Sequence, residues 1–430
     1  MPTNSPLVIS GAMLIDGTGR PAVSDAVVVV QGNRIDAVGS GDEVTAPDGA
    51  RQIDALGRTL IPGMVDCHVH AYTSGFVPAP PPGDELAYAG IVAANNLRCA
   101  LQLGITTVRD VSSGHVGIAA RSAIEEGQWL GPRCYMSGRG ICMTGGHGSG
   151  GGGIGIGVHE VDGPGAIRVA IRQERKAGAQ LIKVLTSHRS EYPEFTQHEL
   201  EVLVEEAHRF GMRVAAHAAN YVTTRMATEA GVDTIEHGIE IAPETAALMA
   251  QKGTTLVSTC WVLHDIYEET CALKAKYEQI GEYASHPHRR WMEETIQVYE
   301  VLLERLPASM AAAREAGVRI AAGTDNVRAS APFAPLAREA PYLVRYGLSP
   351  MEAIESLTRC GAEAIGVEDQ VGTIEPGKLA DLVLLDGDPL LDVGALEKVC
   401  WVMKDGMEIP LHPEWQLRAV RDPMSPLDAS

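Results

Sequence analysis

No Cys-x-x-Cys spacing occurs among the eight cysteines, which are scattered at Cys67, Cys99, Cys134, Cys142, Cys260, Cys271, Cys360 and Cys400. In a chain of 430 residues such a scatter excludes a disulfide framework and reads as reduced thiols in a cytoplasmic protein. No apolar run is long enough to span a bilayer. The opening Met1-Pro2-Thr3-Asn4-Ser5-Pro6 also lacks the basic start and apolar stretch of a secretory leader. Basic residues are too few to balance the acidic ones, 35 against 55, leaving a net charge of −20. Such a surface repels phosphate backbones and anionic lipid, which argues against nucleic-acid and membrane partners. What is present is a 45% hydrophobic composition, enough for a sizeable core, in a length that suits one large domain plus a smaller one.

The two ends of the chain share one texture. Residues 7–61 alternate short strands with tight turns: the turn Asp16-Gly17-Thr18-Gly19, the strand 26–30, the turn 31–34 and the strand 35–38. Near the other end, the turn-rich 371–378 precedes a strand over 381–386. One small β-sandwich built from 1–61 plus 369–430 is therefore expected, around a middle domain of 62–368. That middle repeats an apolar run followed by a helical stretch. The runs are 64–67, 105–108, 133–136, 181–184, 213–216, 234–236, 255–257 and 319–322, with helices such as 198–210, 243–252 and 299–316 between them. Repeated βα units make a parallel sheet, and eight of them fit a closed (β/α)8 barrel in an α/β fold. An open doubly wound sheet would want a phosphate-binding turn after its first strand, where this chain has His68 and His70. The glycine-rich 145–157 has no Gly-Lys-Ser/Thr after it and reads as a mobile loop or lid.

His68 and His70 end the run 64–67. Alternate residues of a strand share a face, so both rings point one way while Val69 points the other. Two neutral imidazoles on one face suit a zinc-type ion, although His-x-His also occurs as an ordinary polar strand end. Lys183 lies inside 181–185, His217 and His237 close the runs 213–216 and 234–236, and Asp325 follows 319–322 after Gly323-Thr324. Singly, a strand-end histidine is commonly a satisfied polar residue, and an Asp after Gly-Thr a helix N-cap. In a barrel, however, C-terminal strand ends share one mouth, where chemistry is done. So many metal-compatible groups at such positions exceed coincidence. A lysine within an apolar run costs desolvation if charged. Lys183 either snorkels its head to the strand end or is a desolvated amine that carbon dioxide converts to a carbamate, an anionic ligand able to bridge two metals.

With these residues in view, the chain resembles the amidohydrolase superfamily, in the cluster of imidazolonepropionase-like proteins and prolidase-type dipeptidases that act on Xaa-Pro or N-acyl amino acid substrates. The motifs that carry the resemblance are Pro62-Gly63-Met64-Val65-Asp66-Cys67-His68-Val69-His70, Gly104-Ile105-Thr106-Thr107-Val108-Arg109-Asp110, Thr144-Gly145-Gly146-His147-Gly148, Ile182-Lys183-Val184, Ala216-His217-Ala218, Ile235-Glu236-His237-Gly238, Gly323-Thr324-Asp325 and the stretch from Gly372 to Leu382. The resemblance implies two divalent metal ions, zinc being the expected one. His68, His70 and Asp325 would hold the more buried ion, and His217 and His237 the outer one. Carbamylated Lys183 and a hydroxide would bridge them. It implies hydrolysis of an amide bond in a small molecule such as a dipeptide, an N-acyl amino acid or an aryl amide, with Asp325 as the proton carrier. His147, otherwise a solvated loop residue, would donate to the developing oxyanion. His115, His159, His188, His198, His208, His264, His286, His288 and His412 read as surface or helix positions.

Two departures bear on substrate. The run after the third histidine is His217-Ala218-Ala219-Asn220-Tyr221, where dipeptidase-like members often have His-Ala-Tyr. Thr186-Ser187-His188-Arg189 stands where many have Ser-Gly-Gly or Thr-Gly-Gly. Tyr221, Arg189 and Arg328 are the candidate substrate contacts, the arginines as carboxylate partners or simply as surface residues. A mononuclear deaminase or cyclic-amide hydrolase on the same fold is the competing enzyme reading, and Lys183 argues against it. A non-catalytic scaffold is the third, and the intact ligand set argues against that. A homo-oligomer is the expected assembly.

Overall fold

Consecutive valines build the first sheet. In the computed structural model, which describes residues 5–72, 84–149, 156–187, 192–326 and 334–412, strands β1 (Leu7–Leu14), β2 (Val23–Gln31), β3 (Arg34–Ser40), β4 (Arg51–Asp54) and β5 (Arg58–Pro62) lie side by side. Strand alternation sends Val28 and Val30 to one face, where they join Ile9 and Leu60. It sends Val27 and Val29 to the other, against Val8. Both faces are thus covered, which is why the run is continuous rather than alternating.

Only Gly63 separates β5 from the barrel. Its eight parallel strands are β6 (Met64–Val69), β7 (Ile105–Asp110), β8 (Arg133–Met136), and then, after the short pair β9 (Gly140–Cys142) and β10 (Val158–Glu160), the strands β11 (Leu181–Leu185), β12 (Arg213–Ala218), β13 (Thr234–His237), β14 (Thr255–Ser258) and β15 (Ile320–Ala322). Parallel pairing runs from β6 to β8 and from β11 to β15. The Gln180 amide donates to the Met136 carbonyl at 2.8 Å and links the two groups, and the Asp325 amide donates to the His68 carbonyl at 2.8 Å and closes the ring. All eight apolar runs of the middle region are barrel strands. The pair β9 and β10 was not anticipated, because three residues beside a glycine stretch carry no periodic signal.

Helices return between strands, and their ends are built by local chemistry. Thr196 and Glu199 form a capping box at the start of Gln197–Arg209, and Asn220 accepts from the Thr223 amide at the start of Tyr221–Ala230. The helix expected over 299–316 extends back to Arg289, and Cys260–Gln279 precedes it, so β14 and β15 are joined by a helical hairpin with its own small core of Leu273, Tyr277 and Met292. Among the described residues no helix is long and apolar enough to cross a membrane, and all eight cysteines are free thiols.

Strands β16 (Leu382–Asp386), β17 (Val399–Lys404) and β18 (Met407–Glu408) return to the first sheet, in the order β18-β17-β16-β5-β1-β2-β3 with β4 beside β1. Strands from both chain ends are thus hydrogen-bonded in one sheet. Asp381, buried just before β16, accepts from Arg133 of β8 at 2.8 Å and from the Asp405 amide at 2.8 Å, tying sheet to barrel.

At the junction, a Cβ on Gly63 would sit 2.6 Å from Thr106 Cγ2 and 2.9 Å from its Cβ, closer than packed atoms approach. Gly63→Ala should therefore destabilise by about 1–3 kcal/mol, as overpacked sites do. The Thr106 hydroxyl has no hydrogen-bond partner, so adding Thr106→Ala, which removes Cγ2 and the hydroxyl but keeps the Cβ, should recover part of the loss. Thermal midpoints at one scan rate check both; a single variant with the wild-type midpoint would show that the junction yields.

Candidate active site

The C-terminal ends of the barrel strands bring the candidate ligands into one row of imidazoles. Ring centroids lie 5.4 Å apart for His70 and His68, 4.8 Å for His68 and His237, 4.6 Å for His237 and His217, and 4.3 Å for His217 and His147. Asp325 faces the same row, its carboxylate 3.2 Å from His70 Nε2, 3.5 Å from His68 Nε2 and 3.7 Å from His237 Nδ1. One ligand atom from each of His68, His237 and Asp325 falls within 4.8 Å of the other two, a separation that one cation closes by drawing lone pairs to about 2 Å.

Backbone geometry aims these groups. On β13 the alternation that turns Thr234 and Glu236 inward would turn His237 outward, but His237 sits at φ 75° and its ring comes back to the row. Asp325 is likewise at φ 45°. Non-glycine residues in the left-handed region are uncommon, and they gather where a site needs a side chain aimed off the regular path. Asp325 is held there from several sides. Its amide donates to the His68 carbonyl. Thr324 donates from its amide and hydroxyl to Asp66 at 3.0 and 2.8 Å, and the Asp66 carboxylate also accepts from the His68 amide at 3.1 Å. Asn326 accepts from the His70 amide at 3.1 Å.

Beneath the row is a buried charge cluster that the sequence reading left unassigned. Glu236, fully buried, lies 2.7 Å from His68 Nδ1 and accepts from Arg109 Nη2 at 2.8 Å and from the Thr234 hydroxyl. Arg109 also reaches Thr234 Oγ1 at 2.9 Å and the Cys67 carbonyl at 2.5 Å. With Nδ1 facing a carboxylate, His68 carries its proton there and leaves the Nε2 lone pair facing Asp325. His237 Nδ1 has Thr259 Oγ1 at 2.9 Å. A charged residue inside an apolar strand, as at Lys183, was the one available signal for Arg109 and Glu236.

Burial sets the protonation of the row. It pushes His68 down to about 3, with Lys183 adding to the effect, and His237 down to about 4. It takes His217 well below its ordinary value, and His147 and His237 push the same way. Three imidazoles are thus neutral near pH 7, as ligands must be. Burial by itself would raise Glu236, but Arg109 and His68 outweigh it and hold the carboxyl well below the usual range. Asp325 is held low against the same burial penalty by His68, His70 and His237. Lys183, 2% exposed on β11, is pushed down to about 8 by burial.

The remaining candidates separate. The ring of His147 stacks on His217 at 20°. Tyr221 is 46% exposed at the start of its helix, where its amide donates to Glu240 at 3.1 Å. Arg189, Arg328, His188 and residues 150–155 of the glycine-rich loop lie outside the described residues. His159 lies on β10 and is partly exposed. Together with His115 it reaches the buried Glu174, at 3.3 and 2.8 Å, because β10 brings the loop's far end against that carboxylate.

Comparison with known proteins identifies the family. Residues 59–409 match the model of the amidohydrolase family. The chain is 30% identical to an ochratoxinase of Aspergillus niger, over 91% of this chain and 83% of that protein. It is 29% identical to an imidazolonepropionase of Symbiobacterium thermophilum, over 88% of this chain and 90% of that one. Among solved structures it resembles a Xaa-Pro dipeptidase crystallised with methionine in its active site, with a TM-score of 0.81, 32% identity and coverage of 94% of this chain and 100% of that one. The chain belongs to the amidohydrolase family, among hydrolases that act on amide bonds.

Proposed function

We propose that this hydrolase is a binuclear, metal-dependent amidohydrolase that cleaves a peptide-like bond in a small molecule: a dipeptide, an N-acyl amino acid or an aryl amide. The observation that carries the reading is the convergence of His68, His70, His217, His237 and Asp325 on one mouth, beside a strand that buries Lys183. The donor set fits divalent ions of the zinc type: neutral imidazoles, one carboxylate held ionised, and a His68 whose Nδ1 is already engaged. His68, His70 and Asp325 would hold the inner ion, and His217 and His237 the outer. Lys183 would bridge them as a carbamate. Its nitrogen lone pair would bond to the carbon of carbon dioxide while one C=O π pair moves onto oxygen and the N–H proton passes to water, a step that burial favours by keeping part of the amine neutral near pH 8. The relatives named above for dipeptide and toxin substrates support an amide substrate. The xenobiotic and N-acyl possibilities differ in pocket loops, not in this donor set.

Metal ions held there by His68, His70, His217, His237 and Asp325 would supply an acidified water and a Lewis acid for the substrate carbonyl. The rest falls to side chains. Asp325, fixed by its backbone bond to His68 and by Thr324 on Asp66, takes the proton of the attacking water and hands it to the leaving nitrogen. His147, at the outer end of the row, donates to the carbonyl oxygen as it gains charge. Tyr221 stands at the rim as a substrate contact. The same proposal takes 1–61 plus 369–430 and 62–368 as the two domains, a homo-oligomer as the assembly, and, from eight free thiols, a cytoplasmic setting. The imidazolonepropionase relative favours a second reading, a mononuclear hydrolase of cyclic amides.

Metal analysis decides between the two readings. Two ions per chain are expected, with activity lost to a chelator and restored by zinc plus bicarbonate; one ion per chain would favour the second reading. Activity should be sought on N-acyl amino acids, dipeptides and aryl amides. Asp325→Asn should keep metal while lowering kcat by about 10²–10⁴-fold, and undiminished turnover would remove Asp325 from the proton path. Glu236→Gln, which leaves His68 without its carboxylate, should weaken metal binding on the order of 10–100-fold in competition with a chelator. Unchanged affinity would reduce the cluster to a packing role.

A further inference from the structure

The amide of His147, whose ring stacks on His217, is held by one carboxylate that lies outside the ligand set. Glu194 follows β11 and is 8% exposed. Both of its oxygens accept from the backbone amide of His147, at 2.9 and 3.0 Å. Its own amide donates to the Thr186 carbonyl at 2.9 Å. Thr186 in turn donates to the carbonyl of His217, at 2.6 Å from its hydroxyl and 3.1 Å from its amide. Glu194 is therefore linked at one end to the loop that carries His147 and, through Thr186, to the strand that carries His217.

A carboxylate in this position is costly. Among the described residues no cation pairs with Glu194, and burial pushes its carboxyl up from the ordinary value, opposed only by the His147 amide. The packing around it is equally specific. A Cβ on Gly146 would run into Glu194 Oε2, and would lie 3.0 Å from both Glu194 Cδ and Met143 Cγ. Gly146 is not among the glycines with positive φ. Its lack of a side chain thus serves the approach of the carboxylate and not a left-handed turn.

We propose that Glu194 is a positioning residue that clamps residues 144–149 by the His147 amide and so sets the imidazole of His147 against His217. This rests on the reading of His147 as the donor to the substrate carbonyl. It explains how a histidine set between Gly145-Gly146 and Gly148, the least constrained backbone available, has its ring placed within stacking distance of another. Gly146 and Glu194 act as a single device: the first leaves the space that the second fills.

The test uses the full-length, zinc-loaded chain and the variants Glu194→Ala, Glu194→Gln, Gly146→Ala, His147→Ala and the Glu194→Ala/His147→Ala double variant. Amide hydrogen exchange across residues 143–149 reads the clamp without any substrate. Exchange at His147 should quicken by about tenfold or more in Glu194→Ala and Gly146→Ala, and return toward wild type in Glu194→Gln, which keeps one accepting oxygen. Turnover is measured on N-acetyl-L-methionine, alanyl-proline and p-nitroacetanilide. For whichever is cleaved, kcat should fall by about tenfold or more in Glu194→Ala and Gly146→Ala, with KM and metal content little changed, as for a displaced catalytic group. Glu194→Gln should recover most of that loss, and the double variant should be no slower than His147→Ala alone. Wild-type exchange in Glu194→Ala, or losses that simply multiply in the double variant, would overturn the proposal. Full activity in His147→Ala would instead remove the donor role of His147, and with it the catalytic consequence of the clamp, while the exchange result still judges the clamp itself.

Discussion

A carboxylate shut inside a barrel must be balanced, and the balance of Glu236 organises everything above it. Arg109 meets it with charge, Thr234 with a hydroxyl and His68 with a ring nitrogen. Each partner comes from a different place in the barrel wall, so the cluster locks β6, β7 and β13 in mutual register as well as fixing one tautomer. Removing any single member would leave a charge or polar group without compensation in a dry interior, which costs far more than the pair contributes while intact. The ligand row inherits its geometry from this layer, because His68 is at once the top of the cluster and a member of the row, between His70 and His237.

Asp325 shows the same economy of placement. It closes the barrel with its amide and faces three imidazoles with its carboxylate. The last strand cannot shift along the first without moving this carboxylate. Structural closure and active-site geometry are one constraint here, and the positive φ at Asp325 is local strain accepted in return.

Much of this was legible in the sequence, for physical reasons that also explain what was not. The eight barrel strands are buried on both faces, so each stands out as an apolar run, and the groups at their ends stand out by contrast. His68, His70, His217, His237 and Asp325 were nominated that way, and Lys183 by its misfit within such a run. Arg109 and Glu236 have a similar misfit, but each is the other's explanation, and pairing across strands of unknown register cannot be read from spacing. Glu194 was invisible for a different reason: its partner is a backbone amide, and any residue supplies one. The helical hairpin between β14 and β15 escaped in part because its first helix splits its apolar residues, Cys260, Trp261, Val262 and Leu263 entering the barrel core and Leu273 and Tyr277 packing in the hairpin, so no single stripe runs its length. Substrate contacts were the least legible. They belong to connections whose path no periodicity sets, and the two arginines nominated there lie outside the described residues.

The sheet that joins the chain's two ends has a consequence for the order of assembly. Strand β5 pairs on one side with β1, made moments earlier, and on the other with β16, which is synthesised only after the whole barrel. Until then β5 presents an open edge of unpaired amides and carbonyls, the kind of edge that recruits foreign strands. Asp381 and Arg133 sharpen the point, because the arginine of β8 stays without its buried acid until the final strands arrive. On the ribosome the barrel is thus complete before the layer it rests on. The most vulnerable interval in the life of this chain falls between the emergence of Leu60 and that of Leu384, its neighbour across the sheet.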